Sequence, residues 1–363
     1  NNTSSGNNTA IGVNALYTQS YDPGYVWNSD NVAVGYSALF SNQPTTTTFS
    51  GNKNTAVGNY TLYSNTLGYY NTALGYEALS GNITGVGNTA AGYQALSVNT
   101  TGGENTATGL HALSYNTTGY ENTANGSDAL EANTTGSANT AVGKSALMYN
   151  TTGWHNTANG VGALGTNTTG NFNTAMGFQA LDYNIGGTQN TAVGYGSGTA
   201  WANPNAGNTV TIGNYGYSLA FSNQAYLGNL STTWNGGNVT WSTYSDARVK
   251  NKVQEDVKGL DFITRLRPVT YHRSIKAMAE ITGNKETEDY PEKYDIEKIK
   301  FSGFLAQDVE QAAKEANYDF SGITIPKKSN ELYTLSYEQF VVPLVKAVQE
   351  LNSINEAQKI TNE

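Results

Sequence analysis

Asn88-Thr89-Ala90-Ala91-Gly92-Tyr93-Gln94-Ala95-Leu96-Ser97-Val98-Asn99-Thr100-Thr101-Gly102-Gly103-Glu104 is one beat of a pattern that restarts every 17 residues. An Asn-Thr-Ala-x-Gly element begins at Asn54, Asn71, Asn88, Asn105, Asn122, Asn139, Asn156, Asn173 and Asn190. An Ala-Leu pair recurs in the middle beats, as at Ala95-Leu96, Ala112-Leu113 and Ala129-Leu130, followed there by Asn-Thr-Thr-Gly. Earlier starts at Asn8 and Asn31 are spaced by 23, so six extra residues leave each early coil, as at Pro44 to Ser50. A helix pair does not fit this beat. Short extended pieces broken by turn residues make each unit one coil of a β-solenoid or β-roll, and the chain mostly β.

Glycine stands where the backbone takes positive φ or meets a neighbour closely. Identical Asn and Thr side chains stack about 4.8 Å apart, a spacing that predicts hydrogen-bonded ladders. The inward set of Ala and one Leu looks thin. Burying a Leu is worth roughly 1.5 to 3 kcal/mol, against about 1 to 2 kcal/mol per residue of backbone entropy. Small Ala and Gly faces therefore predict three chains packed about a common axis, a homotrimer.

Composition narrows the function classes. The chain has no cysteine, which excludes disulfides and thiolate metal sites, and a net charge of −9. Residues 1–244 hold only 10 of the 47 charged side chains, with Lys53 and Lys144 the only basic ones, so no phosphate-tracking surface exists there and nucleic acid is excluded as a partner. No run of 18 apolar residues occurs, so no membrane insertion is expected. The chain begins Asn1-Asn2-Thr3 and reads as part of something longer. The Asn-x-Thr triplets follow the beat and read as structural, not as glycosylation acceptors.

Positions that vary between coils should face outward. They carry Tyr76, Tyr93, Tyr120, Trp154, His155 and Phe172, with Glu77, Glu104, Glu121 and Lys144 beside them. Such rings either stack on sugars of a cell-surface glycan or another surface receptor, or cover seams between chains. No individual ligand-binding residue is assigned. His111, His155 and His272 fall far apart in sequence, so no metal and no cofactor is expected. Carboxylates are few in the repeats, and Glu104 and Glu121 would form an evenly spaced ladder, not the pair 5 to 10 Å apart that glycoside hydrolysis requires. The alternative is a tailspike polysaccharide-degrading enzyme with its catalytic module elsewhere.

Three regions follow: repeats over 1–200, a β neck or linker over 201–244, and a small α+β domain over 245–363. Asn208 to Gly213 and Tyr226 to Gly228 read as strand material, and Trp234 to Asn238 as a glycine-rich link. Val257, Leu260, Ile263 and Leu266 predict a short helix before Pro268. Val269 to His272, Lys300 to Phe304 and Leu332 to Leu335 read as strands, Val309 to Ala316 as a helix, and Lys276 to Lys298 as a charged surface excursion. Ser336 is a candidate cap for a last helix, with Pro343 in its first turn. Its stripe of Val341, Leu344, Val345, Val348, Leu351 and Ile354 predicts either a bundle of three or a core-facing helix.

Five spaced motifs carry a resemblance: Ser245-Asp246-Ala247-Arg248-Val249-Lys250, Leu266-Arg267-Pro268-Val269-Thr270-Tyr271, Gly303-Phe304-Leu305-Ala306-Gln307-Asp308-Val309-Glu310, Leu335-Ser336-Tyr337 and Leu344-Val345-Lys346-Ala347-Val348-Gln349-Glu350-Leu351. In that order they resemble the peptidase S74 domain, the C-terminal intramolecular chaperone of phage endosialidases, tail spikes and tail fibres. The repeats are similar, more loosely, to the head repeats of trimeric bacterial adhesins, whose unit is shorter. The resemblance implies a domain that trimerises, templates the β-structure before it, and in many members cuts itself away with a Ser-Lys dyad. Carried over, the dyad is Ser245 and Lys250, with Asp246 and Arg248 positioning the turn. A Ser hydroxyl needs a base, and a Lys amine serves as one only when desolvation disfavours its charge, so assembly is expected to bury Lys250 and release cleavage beside Ser245, at Tyr244-Ser245. The implied setting is a virion tail fibre or a bacterial cell surface.

Overall fold

The computed structural model describes residues 5–19, 27–44, 50–198, 203–213, 222–229, 232, 245–282, 293–329 and 331–362. Most of the early loop at Pro44 to Ser50, the link at Trp234 to Asn238, and Tyr244 lie outside them. Two compact units divide the chain, 1–229 and 230–363.

The first unit is a solenoid built on a thirteen-stranded parallel sheet whose strands follow sequence order. Each coil contributes one short strand, such as Thr106–Thr108 and Thr123–Asn125, in a register one repeat apart: Ala107 pairs Ala124. The sheet runs on into the stretch read from sequence as a neck, because Thr209–Ile212 pairs Thr191–Val193 and Gln224–Leu227 pairs Thr209–Ile212.

Strand alternation sends the middle Ala inward and its flanking residues outward. Ala107, Ala112 and Leu113, and their equivalents in successive coils, are fully buried within one chain. Two asparagine columns are buried beside them. In one, Asn122 Nδ2 donates to Asn105 Oδ1 at 3.1 Å and to Gly136 O at 2.9 Å, while Asn122 Oδ1 accepts the Asn139 backbone N–H at 3.0 Å. In the other, Asn133 Nδ2 donates to Asn116 Oδ1 at 2.7 Å and to the same Gly136 carbonyl at 2.9 Å. The interior is therefore half polar and fully hydrogen-bonded along these columns, which keeps buried amides from costing stability.

This interior corrects two expectations. The homotrimer cannot be argued from thin coils, because the Ala and Gly faces are consumed between coils of one chain and the Asn columns complete the core. The threonine ladder, among the described residues, runs from side chain to backbone and not from side chain to side chain. The strand threonines point outward, and those after the second Asn, such as Thr117, donate Oγ1 to a backbone carbonyl of the next coil, Thr134 O at 2.9 Å.

The tight coil imposes backbone conformations. Gly109 sits at φ +133°, and a Cβ there would lie 2.5 Å from Gly126 O, so only glycine stacks at this corner. Leu113 is held in the left-handed region at φ 53°, normally unfavourable by roughly 1 to 2 kcal/mol. Complete burial of its side chain and the Leu113 N–H to Ala129 O bond at 3.0 Å offset that cost.

Among its described residues the second unit packs five α-helices, α1 (Leu260–Ile263), α2 (Ile275–Thr282), α3 (Asp295–Lys298), α4 (Ala306–Glu315) and α5 (Val341–Asn362), with two small antiparallel pairs. The two segments expected as strands pair with each other, Val269–Tyr271 with Phe301–Gly303, and Ile323–Thr324 pairs Thr334–Leu335. Phe262, Val309, Ala312, Ala313, Ala316, Phe320 and Phe340 form the core. The stretch from Lys276 to Lys298 is not a bare surface excursion: it begins in α2 and ends in α3, whose Ile296 is buried, as is Ile275 at the start of α2, while Gly283 and Pro291 lie outside the described residues. Ser336 precedes a 3-10 turn over Tyr337–Phe340 without a side-chain capping bond.

Candidate functional site

Ser245 to Lys250 form a single tight turn. Asp246 caps the 3-10 turn Ala247–Val249, its carboxylate accepting the Arg248 N–H at 2.8 Å, and the Lys250 N–H closes the turn on Ala247 O. The Arg248 guanidinium also donates from Nε to the Asp246 carboxylate at 3.0 Å and forms an ion pair with it, which holds the Asp246 carboxyl below the usual carboxylate range and raises the guanidinium in turn. That clamp fixes the turn so that residues five apart meet: Lys250 Nζ donates to Ser245 Oγ at 2.8 Å. All four expected side chains are thus brought together. All six residues are exposed, Val249 by 72%. In this single chain the pair is therefore assembled but fully open to solvent.

Residues 245–318 match the family model Peptidase S74, chaperone of endosialidase. The match opens on Ser245 and includes the first three motifs. Leu335 to Tyr337 and α5 follow it. A solenoid of 17-residue coils followed by an S74 segment fits a tail-fibre-type protein. Comparison with curated proteins and with solved structures gives no match.

Beyond the S74 match, α5 presents two faces. Pro343 and Ala347 are buried, and the α1 end packs there, with Leu260 N–H donating to Glu350 Oε2 at 2.7 Å. Val341, Leu344, Val345, Val348, Leu351 and Ile354 are all exposed, by 47 to 66%. The core-facing alternative for this stripe is therefore not what the fold adopts. No described helix is long and apolar enough to cross a membrane.

On the solenoid, the varying positions do face outward. Tyr76 and Tyr93 stack with ring centroids 5.5 Å apart, and Trp154, His155 and Phe172 form a second cluster, with Trp154 and Phe172 centroids 4.5 Å apart. Tyr120 is exposed as well. Glu77 accepts a bond from Gln94 Nε2 at 2.7 Å, and its hydrogen bond with Tyr76 raises that phenol above its ordinary value. Sequence spacing left His111 solitary. The coil does not: one repeat onward lies Asp128, whose Oδ1 is 3.6 Å from His111 Nδ1, with Glu131 beside both. The signal was the 17-residue offset itself, which converts i, i+17 into contact.

Proposed function

We propose that this chain is a fibre or adhesin protein that assembles as a homotrimer through its C-terminal chaperone, and that its solenoid meets a cell-surface glycan on a virion tail or a bacterial surface. The observation that carries this reading is the exposed stripe on α5. Val341, Leu344, Val348 and Leu351 keep the three-and-four alternation of a helix seam, with Val345 and Ile354 at its borders. A solvated stripe of this size favours partner helices, and the S74 match favours two further copies of this chain. The exposed rings at Tyr76, Tyr93, Tyr120, Trp154 and Phe172 supply flat apolar faces of the kind sugars stack on.

In this proposal Ser245 and Lys250 act once per chain. Assembly removes water from Lys250, so that its amine gives up its charge and takes the Ser245 hydroxyl proton. Ser245 Oγ attacks the Tyr244 carbonyl carbon, the C–N bond breaks, the amine of Ser245 receives the proton, and water hydrolyses the resulting ester. Asp246 and Arg248 hold the turn. The domains of this reading are the solenoid repeats over 1–200, the neck over 201–244 and the chaperone over 245–363. The test is the intact mass of three purified chains. The unaltered chain should yield two fragments split at Tyr244-Ser245, Ser245→Ala should stay whole, and Leu351→Glu, which breaks the seam far from the turn, should stay whole too. Cleavage that persists in Leu351→Glu would separate the dyad from assembly and overturn the mechanism. A glycan array with the Ser245→Ala protein tests the lateral face, and binding that survives Trp154→Ala with Phe172→Ala would remove it.

A further inference from the structure

We propose that His111, Asp128 and Glu131 form a binding site for a divalent transition-metal ion of the zinc type, clipped across two adjacent solenoid coils. One imidazole nitrogen and two carboxylate oxygens lie within 4.8 Å of one another. Zinc held by such a donor set at about 2.0 to 2.2 Å sets its ligands roughly 3.4 Å apart, so the His111 to Asp128 separation of 3.6 Å already fits and Glu131 closes by a side-chain rotation.

The backbone holds these donors in place. His111 and Asp128 occupy the same repeat phase, both left-handed at φ 53° and 58°, and the Asp128 N–H is bonded to Leu110 O at 2.8 Å. The same phase two coils earlier brings Glu77 and Gln94 into contact, so side chains here meet between coils more than once. Asp128 is oriented from behind: Ser127 Oγ donates to its Oδ2 at 2.9 Å and leaves Oδ1 for His111. Supports of this kind set ligand direction in metal sites. The Tyr93 ring, 5.6 Å from the imidazole, walls the other side. His111 and Asp128 are 33% and 22% exposed, so an ion can enter and water can complete its coordination. An imidazole in the set selects against calcium and magnesium, which take oxygen donors.

The site is tested on the tag-free full chain by calorimetric titration with zinc chloride, followed by thermal unfolding with and without zinc. The expected result is one zinc per chain, a raised midpoint, and no heat with calcium. His111→Ala and Glu131→Gln should each lower affinity at least tenfold, Ser127→Ala by about tenfold, and His155→Ala not at all. Circular dichroism in EDTA checks that each variant is folded. Absence of zinc binding, or binding that survives both His111→Ala and Glu131→Gln, overturns the site and leaves His111 and Asp128 as a polar contact between coils.

Discussion

Replacing Asn122 by Ala removes one rung from a buried column, and the structure sets the size of the effect. The side chain makes four hydrogen bonds: Nδ2 to Asn105 Oδ1 and to Gly136 O, and Oδ1 from the Asn139 N–H and Nδ2. Not all partners are orphaned. Gly136 O keeps Asn133 Nδ2, Asn105 Oδ1 keeps the Asn122 backbone N–H, and Asn139 Nδ2 keeps Gly153 O. The Asn139 N–H loses its acceptor inside a fully buried site, which costs about 1 to 3 kcal/mol, and the other lost bonds add about 1 kcal/mol each. The expected loss is about 4 to 6 kcal/mol, enough to open this part of the solenoid. Because coils unfold as coupled neighbours and not as one block, urea unfolding should be read together with hydrogen exchange at residues 105–156. Thr123→Ala, next in sequence but outward, is the control, and its effect should stay within about 0.5 kcal/mol. Equal loss in the two variants would refute the claim that the asparagine columns hold the coils.

Gly126→Ala should be at least as damaging as Asn122→Ala, since its Cβ would lie 2.5 Å from Gly143 O at φ +144°, and the protein should accumulate in the insoluble fraction. Asp182 offers a pH signature. Burial raises its carboxyl above the usual range, so the folded chain binds that proton more tightly than the unfolded chain and its charged form weakens the fold. Asp182→Asn should therefore raise the urea midpoint at pH 7, with the gain shrinking as pH falls through the raised value and gone below about 3.9, the ordinary aspartate value. Phe262→Ala should cost about 3 to 5 kcal/mol in the C-terminal unit, where this ring meets Phe320 at 4.9 Å and Phe340 at 6.3 Å, seen as loss of near-ultraviolet signal.

The coil was legible because a strict repeat makes position i+17 a neighbour of position i, so one beat stands for the whole sheet. Burial of the Asn columns was not legible. A buried amide looks unfavourable until its partners are known, and those partners, such as the Gly136 carbonyl shared by Asn122 and Asn133, exist only once the coil closes. The same closure brought Asp128 to His111. Ser245 and Lys250 were legible as a pair through the motif, whereas the role of Asp246 as turn cap required the backbone. The Lys276 to Lys298 stretch misled because charge density masks Ile275 and Ile296, two single anchors with no periodic companions.

Assembly through α5 is the central claim, and the molecular mass in solution tests it most directly. Sedimentation equilibrium of the Ser245→Ala chain, which keeps both units joined, should give three times the 38.6 kDa of one chain, and Leu351→Glu on that background should give one. A single-chain mass for the Ser245→Ala protein at micromolar concentration, with its stripe intact, would contradict the account.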